Sequence, residues 1–498
     1  MDFEYIVVQA GGKGTRLEHI TKNKPKALAP INNLPMLFHL FKKYPDKKFL
    51  IIGDYKIDVL KKYLSAFAKV KYLVVDARGN TGTCSGLRKA VEKIPADKAF
   101  MLIWSDLILP EDYKVPADNE NYVGLSTDFK CRWRYENNVF EEIPSVETGV
   151  AGFFMFKDKE LLKDVPDCGE FVRWLGEQGY TFRTTALSRT KEYGLLEEYN
   201  KLETGKCRPF NRLIINGDRI IKEGIDEQGK NLAIREKAWY KAVMEKGFVQ
   251  IPHIYSYEPF EMERLDAKNI FEYELTYEEK KEILEKIIKS LKELHTLDRC
   301  ETDYFSIEEA YVTKTFKRLE SIRDMIPFAN REYITVNGRK CRNIFFIRDE
   351  VEKKFEEYKC REFNLLHGDC TFSNMMLKDG EPVLIDPRGY FGYTEMCGDV
   401  AYDWAKLYYS IVGNYDQFNR KKFRLNILED SVEINIESNG WEELEEYFFE
   451  LIGEETDKKD IRLIHAIIWL SLTTYAWEDY DSICGAFYNG LYYLEECL

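Results

Sequence analysis

The sequence predicts an α/β protein with two domains, and three features of the chain support this. At 498 residues the chain is too long for a single hydrophobic core, because domains usually contain about 100 to 200 residues. Over the first 200 residues, short apolar runs alternate with helical stretches, which is typical of a mostly parallel sheet. Near residue 204 this pattern changes, so we predict domains over 1–203 and 204–498.

The elements of the first domain follow from its hydrophobic pattern. Four apolar runs are predicted strands: "EYIVVQA", "KKFLIIGD", "VKYLVVD" and "AFMLIWSD". Three stretches between them have helical periodicity: "MLFHLFKKY", "DVLKKYLSAF" and "CSGLRKAVEKI".

The second domain is predicted to begin with a hairpin, "RLIINGDRIIKEG", that turns at Asn216-Gly217. A helix over about 231–246, a strand near 254–264 and long charged helices over about 277–295 follow. A polar loop then interrupts the apolar stretch "LLHGDCTFSNMML", and mostly helical sequence continues to residue 498.

Composition excludes several classes of function. The formal net charge of −14 argues against nonspecific nucleic-acid binding, because phosphate backbones are bound by surplus Lys and Arg. No stretch approaches the roughly 20 apolar residues of a membrane span, and the N-terminus resembles a strand more than a signal peptide. The eleven cysteines lack any C-x-x-C pair, which fits reduced thiols. We therefore expect a cytoplasmic protein with small-molecule partners; the oligomeric state is not indicated.

A glycine-rich segment follows the first predicted strand, "QAGGKGTRLEHITKNKPKAL". Gly11, Gly12 and Gly14 lack the Cβ atoms that would keep a polyphosphate from the backbone N–H groups. The helix predicted after them would add its N-terminal dipole. Arg16 and Lys26 could neutralise phosphate charge directly.

Two familiar phosphate-binding loops do not match this spacing. A Walker loop requires Ser or Thr after Gly-Lys, whereas Gly14 follows Gly12 and Lys13. A dinucleotide fingerprint requires a third glycine where Leu17 stands.

The segment instead resembles the signature of the nucleotidyltransferases that make nucleoside-diphosphate sugars and CDP-alcohols, G-G-x-G-[ST]-R-L followed by T-x-x-x-P-K. The matching residues are Gly11 to Leu17, including Thr15, and then Thr21, Pro25 and Lys26. The resemblance implies a Rossmann-like nucleotidyltransferase domain. In it the glycines and Thr15 would bind a nucleoside triphosphate, and Arg16 and Lys26 would be catalytic.

Two further stretches resemble parts of this family. "NTGTCSGL" is similar to the turn that contacts base and ribose, which implies nucleotide-binding roles for Gly82, Thr83 and Gly86. "ETGVAGFFMF" is similar to the strand and loop beneath the acceptor phosphate, where Glu147 could accept hydrogen bonds from hydroxyl groups. An ordinary solvated loop acid is the alternative for Glu147.

The same resemblance implies two Mg²⁺ ligands, Asp106 in "IWSDLILP" and Glu192 in "KEYGLLEEYNKL". Glu192 departs from the usual Asp, and a surface glutamate is the alternative. A substrate phosphate would attack the α-phosphorus of the nucleotide and release pyrophosphate. Because a phosphate nucleophile is already anionic, no general base is needed.

A second constellation lies in the polar loop of the second domain. Asp369 is followed by Asn374, and Asp386 stands in "PVLIDPRG". In a kinase catalytic loop, one carboxylate at this spacing deprotonates a hydroxyl group while the amide and second acid bind Mg²⁺. A protein kinase would have Arg where Gly368 stands, and this half instead resembles the aminoglycoside-phosphotransferase and choline-kinase superfamily. That implies a bilobal, protein-kinase-like α+β domain that phosphorylates small molecules.

The superfamily resemblance also assigns the ATP site. Lys222 would contact the α- and β-phosphates, and Glu236 on the following helix would pair with it. Met262 and Glu263, in "YEPFEMERL", would belong to the strand that contacts adenine.

Other residues are expected around the loop. His367 would brace it, and Asp399 and Asp403 in "GDVAYDWAKL" would cap and anchor it. Trp477 and Asp479 would line the acceptor pocket, which this superfamily makes from its C-terminal helices. Aromatic core packing is the alternative for this stretch.

Together, the two resemblances predict a bifunctional, Mg²⁺-dependent enzyme. An ATP-dependent kinase would phosphorylate a sugar or polyol, and the nucleotidyltransferase would then use a second NTP, with CTP or UTP favoured. The product would be an NDP-linked donor for cell-surface glycan assembly. Alternatives are choline or another amino alcohol with CTP, or a half that serves only as a binding or regulatory module.

Overall fold

The computed structural model describes residues 2–200 and 211–498. The chain divides into two compact units. The first comprises Met1–Thr204 together with Trp477–Asp481, and the second comprises Gly205–Ala476 and Ser482–Leu498. The predicted boundary at 203/204 lies outside the described residues.

The strands of the first unit are β1 (Tyr5–Gln9), β2 (Pro30–Ile31), β3 (Leu34–Pro35), β4 (Lys48–Gly53), β5 (Lys71–Asp76), β6 (Phe100–Trp104), β7 (Leu107–Ile108), β8 (Tyr122–Ser126), β9 (Arg134–Glu136), β10 (Val139–Glu141), β11 (Gly149–Phe156), β12 (Arg183–Ala186) and β13 (Lys191–Glu192). Its helices are α1 (Met36–Lys43), α2 (Ile57–Phe67), α3 (Leu87–Val91), α4 (Phe171–Glu177) and α5 (Leu196–Asn200).

Nine of these strands form one mixed sheet. The predicted strands β5, β4, β1 and β6 are adjacent and parallel, which confirms the α/β prediction. Beyond them β11 pairs antiparallel with both β6 and β8. Because β1 and β6 are parallel neighbours, Gln9 pairs with Trp104. The segments that follow these two strands therefore begin at the same edge of the sheet.

The segment after the glycine loop differs from the prediction. It forms a 3₁₀ helix over Thr15–Thr21 that is interrupted at Glu18, where φ is 49° and ψ is −116°. Gly14 is left-handed, with φ 63°, and the Thr21 hydroxyl donates to the Gly14 carbonyl over 3.0 Å, so the chain folds back on the loop. The predicted α-helix dipole is therefore wrong for this segment.

The strands of the second unit are β14 (Asn211–Asn216), β15 (Arg219–Gly224), β16 (Ile254–Tyr257), β17 (Phe260–Glu263), β18 (Lys268–Asn269), β19 (Arg299–Cys300), β20 (Tyr333–Val336), β21 (Arg339–Arg342), β22 (Phe363–Leu365), β23 (Met375–Lys378), β24 (Glu381–Leu384), β25 (Tyr390–Phe391), β26 (Thr394–Glu395), β27 (Cys397–Gly398), β28 (Phe423–Ile427) and β29 (Ser431–Ile436). The helices are α6 (Glu227–Glu245), α7 (Tyr277–Thr296), α8 (Tyr304–Glu308), α9 (Lys314–Ile322), α10 (Arg348–Glu356), α11 (Val400–Ile411), α12 (Tyr415–Asn419), α13 (Glu445–Ile452), α14 (Lys458–Leu472) and α15 (Tyr480–Leu494).

The second unit is α+β, as predicted. Its N-terminal part is a four-stranded antiparallel sheet in the order β14-β15-β17-β16, to which α6 adds a helix. The hairpin between β14 and β15 is confirmed. Helix α6 begins earlier than expected because the carboxylate of Asp226 caps it by accepting the N–H of Gly229 over 2.8 Å.

Two predictions for this unit were wrong. The single strand expected near 254–264 is a hairpin of β16 and β17, which turns at Glu258-Pro259. The C-terminal part is not mostly helical throughout, because β28 and β29 join β20 and β21 in a second four-stranded sheet. Within the described residues, no helix combines the length and apolarity that a membrane crossing requires.

Candidate active sites

Two acidic side chains meet at the carboxyl edge of the first sheet. Strand β13 pairs antiparallel with β7, which places Glu192 opposite Leu107. The N–H of Tyr193 donates to the carbonyl of Asp106 over 3.3 Å. This short ladder brings Glu192 beside Asp106, although the two residues are far apart in sequence.

Two basic side chains complete this group. Lys26 is ion-paired through Nζ with the carboxylate of Asp106, and both side chains are largely buried. Arg16 lies 4.0 Å from Glu192 and is exposed. The structure therefore brings together four residues that the sequence assigned to catalysis and metal binding.

The electrostatics of the group fit a divalent cation. Burial raises the pKa of Glu192, and the neighbouring charge of Asp106 raises it further, while Lys26 and Arg16 oppose the shift. Mg²⁺ is commonly held by one or two carboxylates together with substrate phosphates. Among residues 2–200 and 211–498 no cluster of three or more His, Cys, Asp or Glu is placed to hold a metal. Asp106 and Glu192 therefore suit Mg²⁺ that is completed by phosphate oxygens.

The glycine loop is held close to this group. A Cβ atom on Gly14 would lie 3.0 Å from the Cβ of Lys26, so the left-handed turn sits directly against the lysine. By contrast, a Cβ on Gly12 would meet nothing within 4 Å. Protein packing does not require glycine at position 12, which is consistent with space for a ligand. Thr15 is exposed at the end of the loop.

In the 80–87 turn, glycine is needed for packing. Gly82 has φ 87°, and a Cβ there would lie 2.2 Å from the carbonyl oxygen of Gly169. Gly86 has φ 75°, and its Cβ would lie 2.6 Å from Cγ2 of Ile52. Both glycines therefore fix the shape of the turn, and their contact with a nucleotide remains a prediction.

Sequence reasoning missed Gln9 and Glu170, which hold this turn through Thr83. Gln9, the last residue of β1, donates from Nε2 to the carbonyl of Thr83 over 2.6 Å. The Thr83 hydroxyl donates to Glu170 over 3.1 Å and accepts the N–H of Phe171 over 2.7 Å. A polar Gln at the end of an otherwise apolar strand was the available signal. Glu147 is exposed before β11, and its assignment also remains a prediction.

In the second unit, the buried Lys222 side chain is the centre of an ionic group. Its Nζ lies 2.7 Å from Oε2 of Glu236 and 2.5 Å from Oδ1 of Asp386, and the Lys222 side chain is only 9% exposed. Burial alone would lower the pKa of Lys222, but the carboxylates of Asp386 and Glu236 outweigh it and raise the pKa. Burial raises the pKa of Glu236 to about 7, against the opposing effect of Lys222.

The predicted catalytic loop surrounds Asp369. The Asn374 amide donates from Nδ2 to Oδ2 of Asp369 over 2.9 Å, and the N–H of Ile385 donates to the Asn374 carbonyl over 3.0 Å. Asn374 is thereby placed next to the segment that carries Asp386. Carboxylate and amide oxygens are suitable Mg²⁺ ligands, so this set also fits the metal.

Lys406 is a residue of this site that sequence reasoning missed. Its Nζ lies 2.9 Å from Oδ1 of Asp369, and its side chain is 14% exposed. It lies on α11 one turn after Asp403, within an otherwise apolar stretch. A lysine on the buried face of a helix was the signal that could have identified it.

Helix α11 anchors the loop that carries Asp369. The carboxylate of Asp403 accepts the N–H groups of His367 and Gly368 over 2.9 and 2.7 Å. His367 is fully buried, contacts the Ile385 carbonyl over 3.0 Å through Nε2, and has a pKa that burial lowers, so it is neutral. Asp399 caps α11. The predicted bracing and anchoring roles are confirmed.

The assignment of Met262 and Glu263 to adenine stays a prediction, which the hydrogen bonds of β17 restrict. Both residues lie in β17, where Met262 pairs with Ile220. The Glu263 N–H donates to the His253 carbonyl over 2.8 Å, and its carboxylate is ion-paired with Lys378. Because the backbone N–H of Glu263 is already bonded within the sheet, it is not available to a purine.

The prediction for Trp477 and Asp479 needs correction. Both belong to the first unit. The ring of Trp477 packs against Phe38 and Phe67, each at 5.8 Å between centroids. Oδ1 of Asp479 lies 2.9 Å from Nζ of Lys24. Their aromatic and acidic character stabilises a packed segment, which was the alternative interpretation.

Two protein-family models match this chain, one in each unit. Residues 5–121 match the model of the nucleotidyl transferase family, and residues 226–447 match that of the phosphotransferase enzyme family. A bifunctional protein GlmU from Methanocaldococcus jannaschii is 31% identical over 260 residues, which cover 44% of this chain and 60% of that protein. A D-glycero-alpha-D-manno-heptose 1-phosphate guanylyltransferase from Campylobacter jejuni is 34% identical over 102 residues, which cover 19% of this chain and 45% of that protein.

Among solved structures, HddC from Yersinia pseudotuberculosis aligns with 40% of this chain and 98% of its own, at 20% identity and a TM-score of 0.35. The chain spans less than two thirds of the curated relatives it matches, for example 29% and 60% of two GlmU proteins. The matched ranges nevertheless include Lys26 and Asp106 in the first unit and Asp369 in the second. The chain therefore combines a domain of the nucleotidyl transferase family with a domain of the phosphotransferase enzyme family.

Proposed function

We propose that the second unit phosphorylates a hydroxyl group of a sugar or polyol with ATP, and that the first unit joins the phosphorylated product to a nucleotide. The observation that carries this proposal is that each unit brings together a set of basic and acidic side chains that suits phosphate transfer. One set is Lys26, Asp106 and Glu192, and the other is centred on Lys222 and Asp369.

In the kinase step, the acceptor hydroxyl oxygen forms a bond to the γ-phosphorus of ATP, and the bond to the bridging oxygen breaks to release ADP. Asp369 accepts the hydroxyl proton, and Asn374 orients its carboxylate. Lys222, held by Glu236, binds the α- and β-phosphates. Asn374 and Asp386 would hold Mg²⁺, which neutralises charge on the transferred group.

In the nucleotidyl step, an oxygen of the product phosphate forms a bond to the α-phosphorus of a second NTP, and pyrophosphate leaves. Lys26 and Arg16 neutralise the phosphates, while Asp106 and Glu192 would hold Mg²⁺. The nucleophile is an anion, so no proton has to be removed from it.

The name of the Campylobacter relative supports a sugar phosphate as the compound that reaches the first unit, because that protein is described as acting on a heptose 1-phosphate. We favour CTP or UTP as the second nucleotide. The NDP-linked product would serve cell-surface glycan assembly from the cytoplasm, with small molecules as the partners. An amino alcohol with CTP is the alternative substrate pair, and a non-catalytic binding or regulatory half is the alternative of another class.

Mass spectrometry of pooled reactions tests this proposal. Purified protein, Mg²⁺ and ATP are incubated with CTP, UTP, GTP or dTTP and a panel of sugars, polyols and amino alcohols. A product that contains acceptor and nucleotide joined through a diphosphate is expected. A phosphorylated acceptor alone would leave only the kinase assignment, and unchanged substrates across the panel would contradict both.

A further inference from the structure

Four basic side chains of the second unit lie near one another, and one of them contacts Asp369. We refer to them as the basic cluster: Lys314, Arg318, Arg388 and Lys406. Lys314 and Arg318 are one helical turn apart on α9 and therefore share a face. Arg388 follows Asp386, and Lys406 is ion-paired with Asp369 over 2.9 Å.

Tyrosine side chains connect the members of the cluster. The guanidinium of Arg388 donates to the hydroxyl groups of Tyr402 and Tyr390 over 2.6 and 2.9 Å. Lys406 lies 5.9 Å from the ring centroid of Tyr402, the same ring that Arg388 approaches at 5.6 Å. Arg388 and Lys406 therefore both lie close to the ring of Tyr402.

Arg318 contacts α14 and the segment that follows it. It donates to the carbonyl and hydroxyl oxygens of Ser471 over 2.9 and 2.7 Å, and its guanidinium lies 4.5 Å from the ring centroid of Tyr475. Burial lowers the pKa of Lys314 well below its ordinary value, and the charges of Arg388, Arg318 and Lys406 lower it further. Lys314 therefore lies close to three other basic side chains, whose charges disfavour its protonated form.

The cluster has an excess of positive charge. Within the described parts of the chain, no carboxylate forms an ion pair with Lys314, Arg318 or Arg388. Glu309 opposes the lowering of the Lys314 pKa, and its carboxylate accepts the Tyr393 hydroxyl over 3.2 Å. Partly buried cations without counter-charges are unfavourable unless a ligand supplies the negative charge.

The position of the cluster distinguishes it from the ATP phosphate site. The cation expected to contact the ATP phosphates is Lys222 on β15, which has two carboxylate partners. The acceptor hydroxyl must instead come within hydrogen-bonding distance of Asp369, beside Lys406. The surplus charge is carried by α9, α11 and the segment after β24, and Lys406 of α11 lies beside Asp369.

We propose that the acceptor of the second unit carries an anionic group, a phosphate or a carboxylate, in addition to the hydroxyl that is phosphorylated. Lys314, Arg318 and Arg388 bind that group, and Lys406 holds Asp369 toward the hydroxyl. The inference rests on the proposed kinase function and narrows its substrate class. It disfavours a cationic amino alcohol, which these side chains would repel.

Matched acceptors that differ in charge test the proposal. Rates of ADP formation are compared for glucose, glucuronate and glucose 6-phosphate, for glycerol and glycerol 3-phosphate, and for choline. The anionic member of a set is expected to have kcat/KM higher by at least about tenfold, and comparing carboxylate with phosphate identifies the group. A neutral or cationic acceptor that is used as well as its anionic counterpart would overturn the inference.

Variants on α9 separate acceptor binding from ATP binding. The double variant Lys314→Ala/Arg318→Ala is expected to raise the acceptor KM by at least about tenfold while the ATP KM changes by less than about twofold. Lys317→Ala, an exposed lysine of the same helix, is the matched control and should change neither. Equal increases in both KM values would instead assign the cluster to ATP. If the double variant does not fold, the acceptor KM of the unmodified protein should rise with NaCl concentration only for anionic acceptors.

Failure of the kinase proposal can be recognised separately. If no acceptor in the panel is phosphorylated, inorganic phosphate is titrated into the protein by calorimetry. Saturable binding that the α9 double variant weakens, and that Lys222→Met does not, would still support an anion site at the cluster. The absence of such binding would overturn the inference as well.

Discussion

Replacing Lys24 with methionine should lower the unfolding free energy of the first unit by about 3 to 5 kcal/mol, because it leaves buried carboxylates without their cation. The Lys24 side chain is 2% exposed, and its Nζ lies 2.9 Å from Asp479 and 2.5 Å from Asp481. Asn23 also donates to Asp481 over 3.1 Å. Methionine matches the length of the lysine stem, so the loss should come from charge and not from a cavity.

The effect should depend on pH in a defined direction. Burial already raises the pKa of Asp481, while Lys24 opposes that shift. Without Lys24 the folded-state pKa of Asp481 rises further above its unfolded value, so the folded protein binds more protons than the unfolded chain. Stability of the variant then increases as pH falls from the raised folded pKa toward the ordinary value of about 3.9. The deficit relative to the unmodified protein should therefore shrink on acidification.

The unfolding free energy of the first unit is measured by urea unfolding, with hydrogen exchange of the β1 and β4 amides as the readout. Lys22→Met, on the exposed face of the same segment, is the control and should change stability by no more than about 0.5 kcal/mol. Adding Asp479→Asn and Asp481→Asn to Lys24→Met should recover much of the loss. A deficit below about 1 kcal/mol for Lys24→Met, or one that grows at lower pH, would refute the reasoning.

Three further predictions concern the two sites. Asp369→Asn should reduce phosphorylation of the free acceptor by about 10²-fold to 10⁴-fold, while nucleotidyl transfer to a prephosphorylated acceptor is unchanged. Separate assays of ADP and pyrophosphate release measure the two activities. Equal loss of both activities would contradict the assignment of Asp369. Gly82→Ala should destabilise the first unit by about 1 to 3 kcal/mol more than Gly79→Ala. Both glycines have φ near 88°, but a Cβ at Gly82 would meet the Gly169 carbonyl, whereas one at Gly79 would meet nothing within 4 Å. Equal losses of unfolding free energy in urea would exclude that contact as the cause. Glu236→Gln should raise the ATP KM by about tenfold and leave the acceptor KM unchanged, since it removes one partner of Lys222; an unchanged ATP KM would remove Lys222 from the nucleotide site.

Residues whose chemistry is encoded in a short motif could be predicted from the sequence. The glycine loop with Lys26, and the loop with Asp369 and Asn374, follow local spacing. The structure places Lys26 beside Asp106 and Asn374 beside Asp369. The parallel strands were predictable for the same reason, since each apolar run is continuous and bounded by polar residues.

Other features depend on contacts that local pattern does not contain. Lys24 meets Asp479 and Asp481 across more than 450 positions of sequence, and no periodicity links these residues. Aromatic and acidic residues have the same composition in a packed segment as in a ligand pocket, so Trp477 was assigned to the wrong environment. Lys406 was missed because its contact with Asp369 depends on the packing of α11 against the loop.

If two independent sites act in sequence on one compound, their products should appear in a defined order. Time-resolved ³¹P NMR of a single reaction measures that order. With free acceptor, ATP, the second NTP and Mg²⁺, the unmodified protein should form phosphorylated acceptor first and the diphosphate-linked nucleotide, with pyrophosphate, after a lag. Asp106→Asn should accumulate the phosphorylated acceptor, and Asp369→Asn should form the nucleotide product only when phosphorylated acceptor is supplied. Two results would contradict sequential action of two sites. One is formation of the nucleotide product from free acceptor by Asp369→Asn, and the other is loss of both the phosphorylated acceptor and the nucleotide product in Asp106→Asn.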